Sequence, residues 1–218
     1  MIAFAAEKRA EAAPDLENRL SPAQFGPMTI DARPITIHGY AIVSDDNMIA
    51  ASDGLTPLSL RNEQDWRYYQ SALADADLIV FGRRSHEMEP NTRGDLRVVV
   101  SRGARGLEQR ADGGWWNPGS VAWAEVVKHV LPSGGEVAAP GGQSVFDLFL
   151  KIGYSAFHLS RAQGVKLPGG TAVFSACADG TSAEDVLSAA GLRAAERIEL
   201  DPSQGVEMRV WRSGPKVA

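Results

Sequence analysis

From Ile35 onward the chain alternates short apolar runs with segments whose apolar positions recur every three or four residues. The runs Ile35–Val43, Asp77–Phe81, Leu96–Ser101, Glu136–Ala139, Ser155–Leu159, Thr171–Ser175, Ala194–Leu200 and Val206–Arg212 have the length and composition of strands. Several are continuously apolar, the pattern of strands covered on both faces. The segments between them predict helices. Over Asn62–Ala74, Trp66, Tyr69 and Leu73 fall at spacings of four and three and predict one buried stripe. Val121–Leu131 is opened by Ser120 and stopped by Pro132, and Ser144–Ile152 ends at Gly153, a residue suited to terminate a helix. Ala183–Ala190 follows Thr181 and Ser182, with Glu184 and Asp185 three residues beyond each, a capping pattern.

The last two strands flank Asp201-Pro202-Ser203-Gln204-Gly205, a turn that predicts an antiparallel hairpin. The order implies an α/β fold: a mostly parallel, twisted sheet of eight strands, helices on both faces, and a C-terminal antiparallel edge. Residues 1–34 lack clean periodicity and read as an arm preceding a domain over 35–218. Residues 103–120, glycine-rich around Trp115 and Trp116, read as a long loop.

Composition narrows the function classes. A net charge of −5 and a pI near 5.4 disfavour a nucleic-acid partner, which calls for a basic excess. The cationic stretch Arg102–Arg105 suits one small phosphorylated ligand instead. Cys177 is the one cysteine, so an internal disulfide and two-cysteine metal motifs are excluded, and it reads as a small core residue. No apolar run approaches the ~20 residues that span a bilayer, and the first residues lack a leader's apolar stretch, so a cytoplasmic location is the expectation. His38, His86, His129 and His158 show no metal-ligand spacing and read as surface or packed residues.

Three constellations remain. Gly82-Arg83-Arg84-Ser85 follows a strand and precedes a helical stretch; it reads as a turn with solvated arginines or as a phosphate cradle. Pro140-Gly141-Gly142-Gln143-Ser144 repeats the strand–glycine–helix arrangement without matching G-x-G-x-x-G. Two such turns at carboxyl ends of strands point to a ligand in an open α/β sheet. Asp65 has two readings: an acidic first-turn residue three positions after an N-cap Asn62, or a buried carboxylate that binds a heterocycle and helps supply a proton.

In order along the chain, Ala41-Ile42-Val43-Ser44-Asp45-Asp46-Asn47-Met48-Ile49-Ala50, Asp65 with Tyr68 and Tyr69, Leu78–Ser85 with Glu87, and Ala139–Phe146 resemble four segments of the dihydrofolate reductase superfamily, which includes the reductase domain of the bacterial riboflavin-synthesis enzyme. Asn47 stands where the family often has glycine, and Gly54-Leu55-Thr56-Pro57 replaces a tryptophan-containing stretch. The resemblance implies NADPH as cofactor. Gly82, Arg83, Arg84 and Ser85 would meet its pyrophosphate and 2′-phosphate, Ser101 and Arg102 its 2′-phosphate, Gly141, Gly142, Gln143, Ser144 and Val145 its pyrophosphate and nicotinamide side, and Ile49 and Ala50 the nicotinamide. Asp65 would be catalytic, with Ile42, Tyr68 and Tyr69 around a small heterocyclic substrate. The implied activity is hydride transfer to a pterin- or folate-like ring; the alternatives are the riboflavin-pathway reduction of a phosphoribosylamino-pyrimidinone, and a non-catalytic nucleotide-binding module on the same fold. The riboflavin branch further implies a homodimer.

Overall fold

The computed structural model describes residues 33–214, so the arm read over 1–34 lies almost wholly outside the described residues. Eleven strands and five α-helices follow one another: β1 Ile35–Val43, β2 Met48–Ala50, α1 Glu63–Asp75, β3 Leu78–Gly82, α2 Arg83–Met88, β4 Arg97–Val100, β5 Leu107–Arg110, β6 Gly113–Trp116, α3 Trp123–Val130, β7 Gly135–Gly141, α4 Gln143–Ile152, β8 Ala156–Ala162, β9 Thr171–Ala172, α5 Ala183–Ala189, β10 Leu192–Asp201 and β11 Val206–Ser213. Nine strands form one sheet in the order β10-β11-β8-β1-β7-β3-β4-β6-β5. From β8 to β6 the strands run parallel, and both outer margins are antiparallel.

The α/β class and the C-terminal hairpin stand as the sequence predicts, with two corrections. The segment 103–120 is not one long loop: it contains β5 and β6, an antiparallel hairpin that extends the sheet by two strands. Strand β9 leaves the main sheet and pairs with β2 instead. Seven of the eight expected strands therefore join the main sheet.

Alternation along β3 shows how the layers are made. Leu78 and Val80 face a core built with Val126 of α3, Val145, Phe146 and Phe149 of α4, and Leu187 of α5. Ile79 and Phe81 face the other way, against Leu73 and Tyr69 of α1. Helix α1 thus lies on the face opposite α3, α4 and α5, the face on which His86 of α2 also meets Arg97 and Trp115. Its cap is Asn62, whose side chain accepts from the Gln64 and Asp65 amides. The expected stripe on α1 is only partly realised: Leu73 is buried, whereas Trp66 is 51% exposed. Helix α3 begins after Ala122 without a side-chain cap, since Ser120 is used in the preceding turn. Ser182 caps α5 by accepting from the Asp185 amide.

Trp116 is buried in the main core beside Trp123, and Trp115 packs with Val99 and Ala104, so both belong to packing. Cys177 is also buried, and burial pushes its thiol up, consistent with a core role.

Candidate functional site

The site follows from strand order. Parallel strands present their carboxyl ends along one margin, and the sequence places there Ser160 on β8, Ile42 on β1, Gly141 on β7, Gly82 on β3 and Ser101 just beyond β4. In the sheet these strands are consecutive neighbours, with Ile42 opposite Ser160 and Phe81 opposite Gly141. Five segments separated by up to about 120 residues thus become one row.

At one end of the row, α1 crosses the floor made by β1 and β8. Asp65 is half-buried there; burial pushes its carboxyl above the usual range, and a hydrogen bond from the fully buried Ser160 hydroxyl pulls partly against that shift. At the start of α1, Asn62 supplies the cap and Asp65 stands in the first turn with its carboxyl half-buried against the sheet. One helical turn on, Tyr68 Oη lies 2.9 Å from His158 Nδ1. His158 stacks on Tyr40, its register partner on β1, with centroids 4.6 Å apart. These two contacts make rungs between α1 and β8: Asp65 with Ser160, then Tyr68 with His158. His158 is 7% exposed and its Nε2 has no hydrogen-bond partner among the described residues. Burial lowers its pKa to about 4, with His38 and Arg212 adding to the effect. Tyr69, packed on Ile79 and Phe81, walls the other side, and burial pushes its phenol up.

Ile42, half-buried, packs with Leu60 and Val206 and completes the floor. Above it runs the loop from Ser44 to Ala50. Asn47 adopts φ 63°, the left-handed region that asparagine tolerates better than most residues, which explains its presence in a glycine position. Arg161 secures this loop by donating to Ser44 O (2.8 Å), Asn47 Oδ1 (3.0 Å) and Glu184 Oε1 (2.6 Å). Ile49 packs against the main core and Ala50 is buried, so β2 with β9 forms a fixed flap at the middle of the row.

At the centre, the glycine turns of β3 and β7 abut. A Cβ on Gly82 would meet Val145 Cγ2 at 3.3 Å and Gly141 O at 3.7 Å, and one on Gly142 would meet Ser85 Oγ at 3.7 Å. Gly141 and Gly142 have φ of 121° and 86°, values that L side chains rarely adopt. Gly142 precedes α4 without a side-chain cap, leaving the first amides of that helix, at Gln143 and the exposed Ser144, open to an anion. Gln143 uses its side chain elsewhere, donating to Ala172 O (3.1 Å) and tying α4 to the flap. Among the arginines, Arg83 pairs with Glu87 (2.9 Å), and Arg84 lies over Gly54, where a Cβ would be 2.9 Å from Nη1. Ser101 bonds the Gly103 amide, and Arg102 beside it is exposed. The row is therefore carboxylate and apolar floor, flap, glycine cradle, then cations.

A groove of about 300 Å³ opens beside α1, lined by Trp66, Gln70, Glu89, Arg93, Asp95 and Arg97. Arg97 is 5% exposed, donates to Glu89 O (2.6 Å) and lies over the Phe81 ring. Sequence reasoning finds Asp65, Tyr68 and Tyr69 but misses Ser160, His158, Tyr40 and this groove. The available signal was His158-Leu159-Ser160, two polar residues on one face of an otherwise apolar strand.

No helix among the described residues is long and apolar enough to cross a membrane, and they contain no cluster of three or more metal-ligating side chains. No protein-family model matches the chain, and no curated protein matches it by sequence. Solved structures do resemble it. A dihydrofolate reductase from Enterococcus faecalis, complexed with NADP(H) and RAB-propyl, superposes with a TM-score of 0.58 at 11% identity, over 81% of this chain and 95% of that one. A diaminohydroxyphosphoribosylaminopyrimidine deaminase/5-amino-6-(5-phosphoribosylamino)uracil reductase from Thermotoga maritima gives 0.57 at 11% identity, over 83% of this chain and 57% of that one. The chain has the dihydrofolate-reductase fold.

Proposed function

We propose that this protein is a reductase that binds NADPH along the carboxyl-end row and delivers a hydride to a small pterin- or folate-like heterocycle held on Asp65. The observation that carries the reading is the order of groups in the row, because it matches a dinucleotide laid from substrate to 2′-phosphate. The cradle fits such a group: the side-chain-free turn at Gly141 and Gly142, with its positive φ angles, and the uncapped start of α4 offer backbone donors for a pyrophosphate. Arg102, Arg83 and Arg84 supply cations for a 2′-phosphate, which favours NADPH over NADH. NADPH, when bound, supplies the hydride.

The chain's own residues do the rest. Ile42 and the Ile49–Ala50 flap cover the reacting face and keep water out. The Asp65 carboxylate accepts from ring or amino N–H groups of the heterocycle and orients it. Because burial raises its pKa, Asp65 holds a proton more readily than a surface aspartate and so favours protonation of the ring nitrogen beside the reduced carbon. Ser160 moderates that shift and fixes the carboxyl's orientation. The neighbouring groove, about 300 Å³ and lined by residues of both charges, suits a polar tail extending from the ring.

The test is titration with NADPH and with NADH, followed by tryptophan fluorescence, for the full chain and for Arg102→Gln and Arg83→Gln. Tighter binding of NADPH, with each substitution weakening it about ten-fold or more and leaving NADH little changed, is the expected result. Absence of binding for either nucleotide up to millimolar concentration would overturn the proposal.

A further inference from the structure

The face of the sheet opposite Asp65 carries a second concavity. Its volume is about 280 Å³, at the small end for ligand pockets, and it is bounded by β8, β11, β10 and the first turn of α5. Leu159, Trp211 and Ala194 make an apolar floor, and Arg161, Glu184, Glu207 and Arg209 make the rim. Alternation places it: Trp211 pairs with Phe157, Arg209 with Leu159 and Glu207 with Arg161, all pointing away from His158 and Ser160.

Two features of this bowl are unsatisfied. Trp211 is 8% exposed, yet its indole N–H meets no acceptor among the described residues. A buried donor without a partner is uncommon and unfavourable. The rim charges do not cancel either. Glu184 is paired with Arg161 at 2.6 Å, and Glu207 with Arg197 on β10. Arg209 has no carboxylate within ion-pair distance among the described residues. The bowl therefore offers a flat apolar floor, one buried donor and one uncompensated cation.

That combination selects a small monocarboxylate with a planar apolar body: the body covers Leu159 and Trp211, and the carboxylate accepts from Arg209 and from the indole. One wall is Arg161, whose remaining bonds hold Ser44 O and Asn47 Oδ1. A ligand that immobilises Arg161 thereby steadies the Ser44–Ala50 loop on the far side of the strand. We infer that this bowl is a binding site for a small aromatic carboxylate, and that its occupancy is transmitted to the Ser44–Ala50 loop through Arg161. The inference holds whether or not the reductase reading does.

Benzoate is the probe, with benzylamine as its cationic counterpart. The tryptophan indole N–H resonances of the full chain are followed by NMR, with the Trp211 signal assigned through Trp211→Phe. Benzoate is expected to shift that one resonance saturably and to remain bound with saturating NADPH present, while benzylamine has no effect. Arg209→Gln, a change at the half-buried rim, is expected to weaken benzoate about ten-fold or more, and amide exchange over residues 44–50 to slow at saturation. The site is overturned by an unsaturable shift, by equal binding of benzylamine, by displacement with NADPH, or by Arg209→Gln binding benzoate as tightly as the parent. Unchanged exchange over 44–50 at saturation overturns the transmission. Should Trp211→Phe fail to fold, the Arg209→Gln comparison by calorimetry decides the site alone.

Discussion

His158 makes the stability of this protein depend on pH in a window where most carboxylates are silent, and the size of that dependence follows from the structure. The imidazole is 7% exposed, stacked on Tyr40 and hydrogen-bonded to Tyr68. Burial, with the positive charges of His38 and Arg212 nearby, lowers its pKa to about 4 from 6.5. The sign is that of a base kept neutral by folding: the unfolded chain takes a proton as the pH falls through 6.5, and the folded chain takes it only near 4. Stability is thus intact above about pH 7 and lost as the pH drops through that interval. The full linkage is about 3.4 kcal/mol at 1.36 kcal/mol per pKa unit, of which about 2.5 kcal/mol is gone by pH 4.5.

The perturbation is His158→Phe, which keeps an aromatic ring against Tyr40 and removes the titrating group. Its stability at pH 7 is expected to fall, since Tyr68 loses an acceptor; the informative quantity is the slope. Urea unfolding at pH 7 and pH 4.5, followed by tryptophan fluorescence, should show the parent losing about 2.5 kcal/mol more than the variant between the two conditions. His38, lowered chiefly by its own burial, contributes with the same sign in both proteins. Parallel slopes for parent and variant would refute the argument, because they would mean that His158 takes its proton in the folded state as readily as in the unfolded chain.

Further expectations concern the site and its supports. Asp65→Asn keeps the shape and removes the charge that burial disfavours; it should be at least as stable as the parent at pH 7 by urea unfolding while turnover, if the reductase reading holds, falls by about 10²–10⁴. Ser160→Ala removes the hydrogen bond that holds the Asp65 carboxyl down, so NMR titration should place that carboxyl higher than in the parent. Gly39→Ala places a Cβ 2.4 Å from Phe157 Cδ2 and 2.9 Å from Tyr154 Cε1, inside a core with no room to yield, and a loss of about 1–3 kcal/mol is expected in urea unfolding. Asn47→Ala keeps the unfavourable φ and deletes the acceptor for Arg161 and for the Ala183 amide; a loss of about 1–3 kcal/mol and faster amide exchange over residues 44–50 should result.

The parts of the fold that were legible in the sequence are those where local and global preferences agree. Strand β3 is continuously apolar and β1, β4, β7 and β8 are largely so because both faces are covered, and such runs stand out from the amphipathic helices around them. Strands β5 and β6 were illegible for the opposite reason. Leu107-Glu108-Gln109-Arg110 is polar, and Gly113-Gly114-Trp115-Trp116 starts on two glycines. They join the sheet through a contact that no local window displays: β6 pairs in parallel with β4, Val99 opposite Trp115. Trp66 misleads in a related way, since its helical spacing matches the stripe of Leu73, yet it projects beyond the sheet into the groove beside α1. Within the candidate site, Asp65 and the glycine turns are carried by short motifs. Ser160 and His158 are not, because their meaning depends on α1 crossing β8, a contact between residues about 90 apart.

The two rungs beneath α1 are best understood together. Burying Asp65 and His158 is unfavourable for the charged form of each, and the shifts run in opposite directions: the carboxyl is pushed up and the imidazole down. An ion pair between them would have relieved both, and alternation makes such a pair geometrically near, with His158 two positions from Ser160 on one face of β8. The chain instead interposes neutral partners, a serine hydroxyl for Asp65 and a tyrosine hydroxyl for His158. A salt bridge would have fixed the carboxylate in its charged state and lowered its pKa. Keeping the imidazole neutral and a turn away leaves Asp65 with a raised pKa, so that the carboxyl holds a proton more readily than an exposed aspartate. The separation of these two groups is therefore a stronger argument for chemistry at Asp65 than the presence of the aspartate itself.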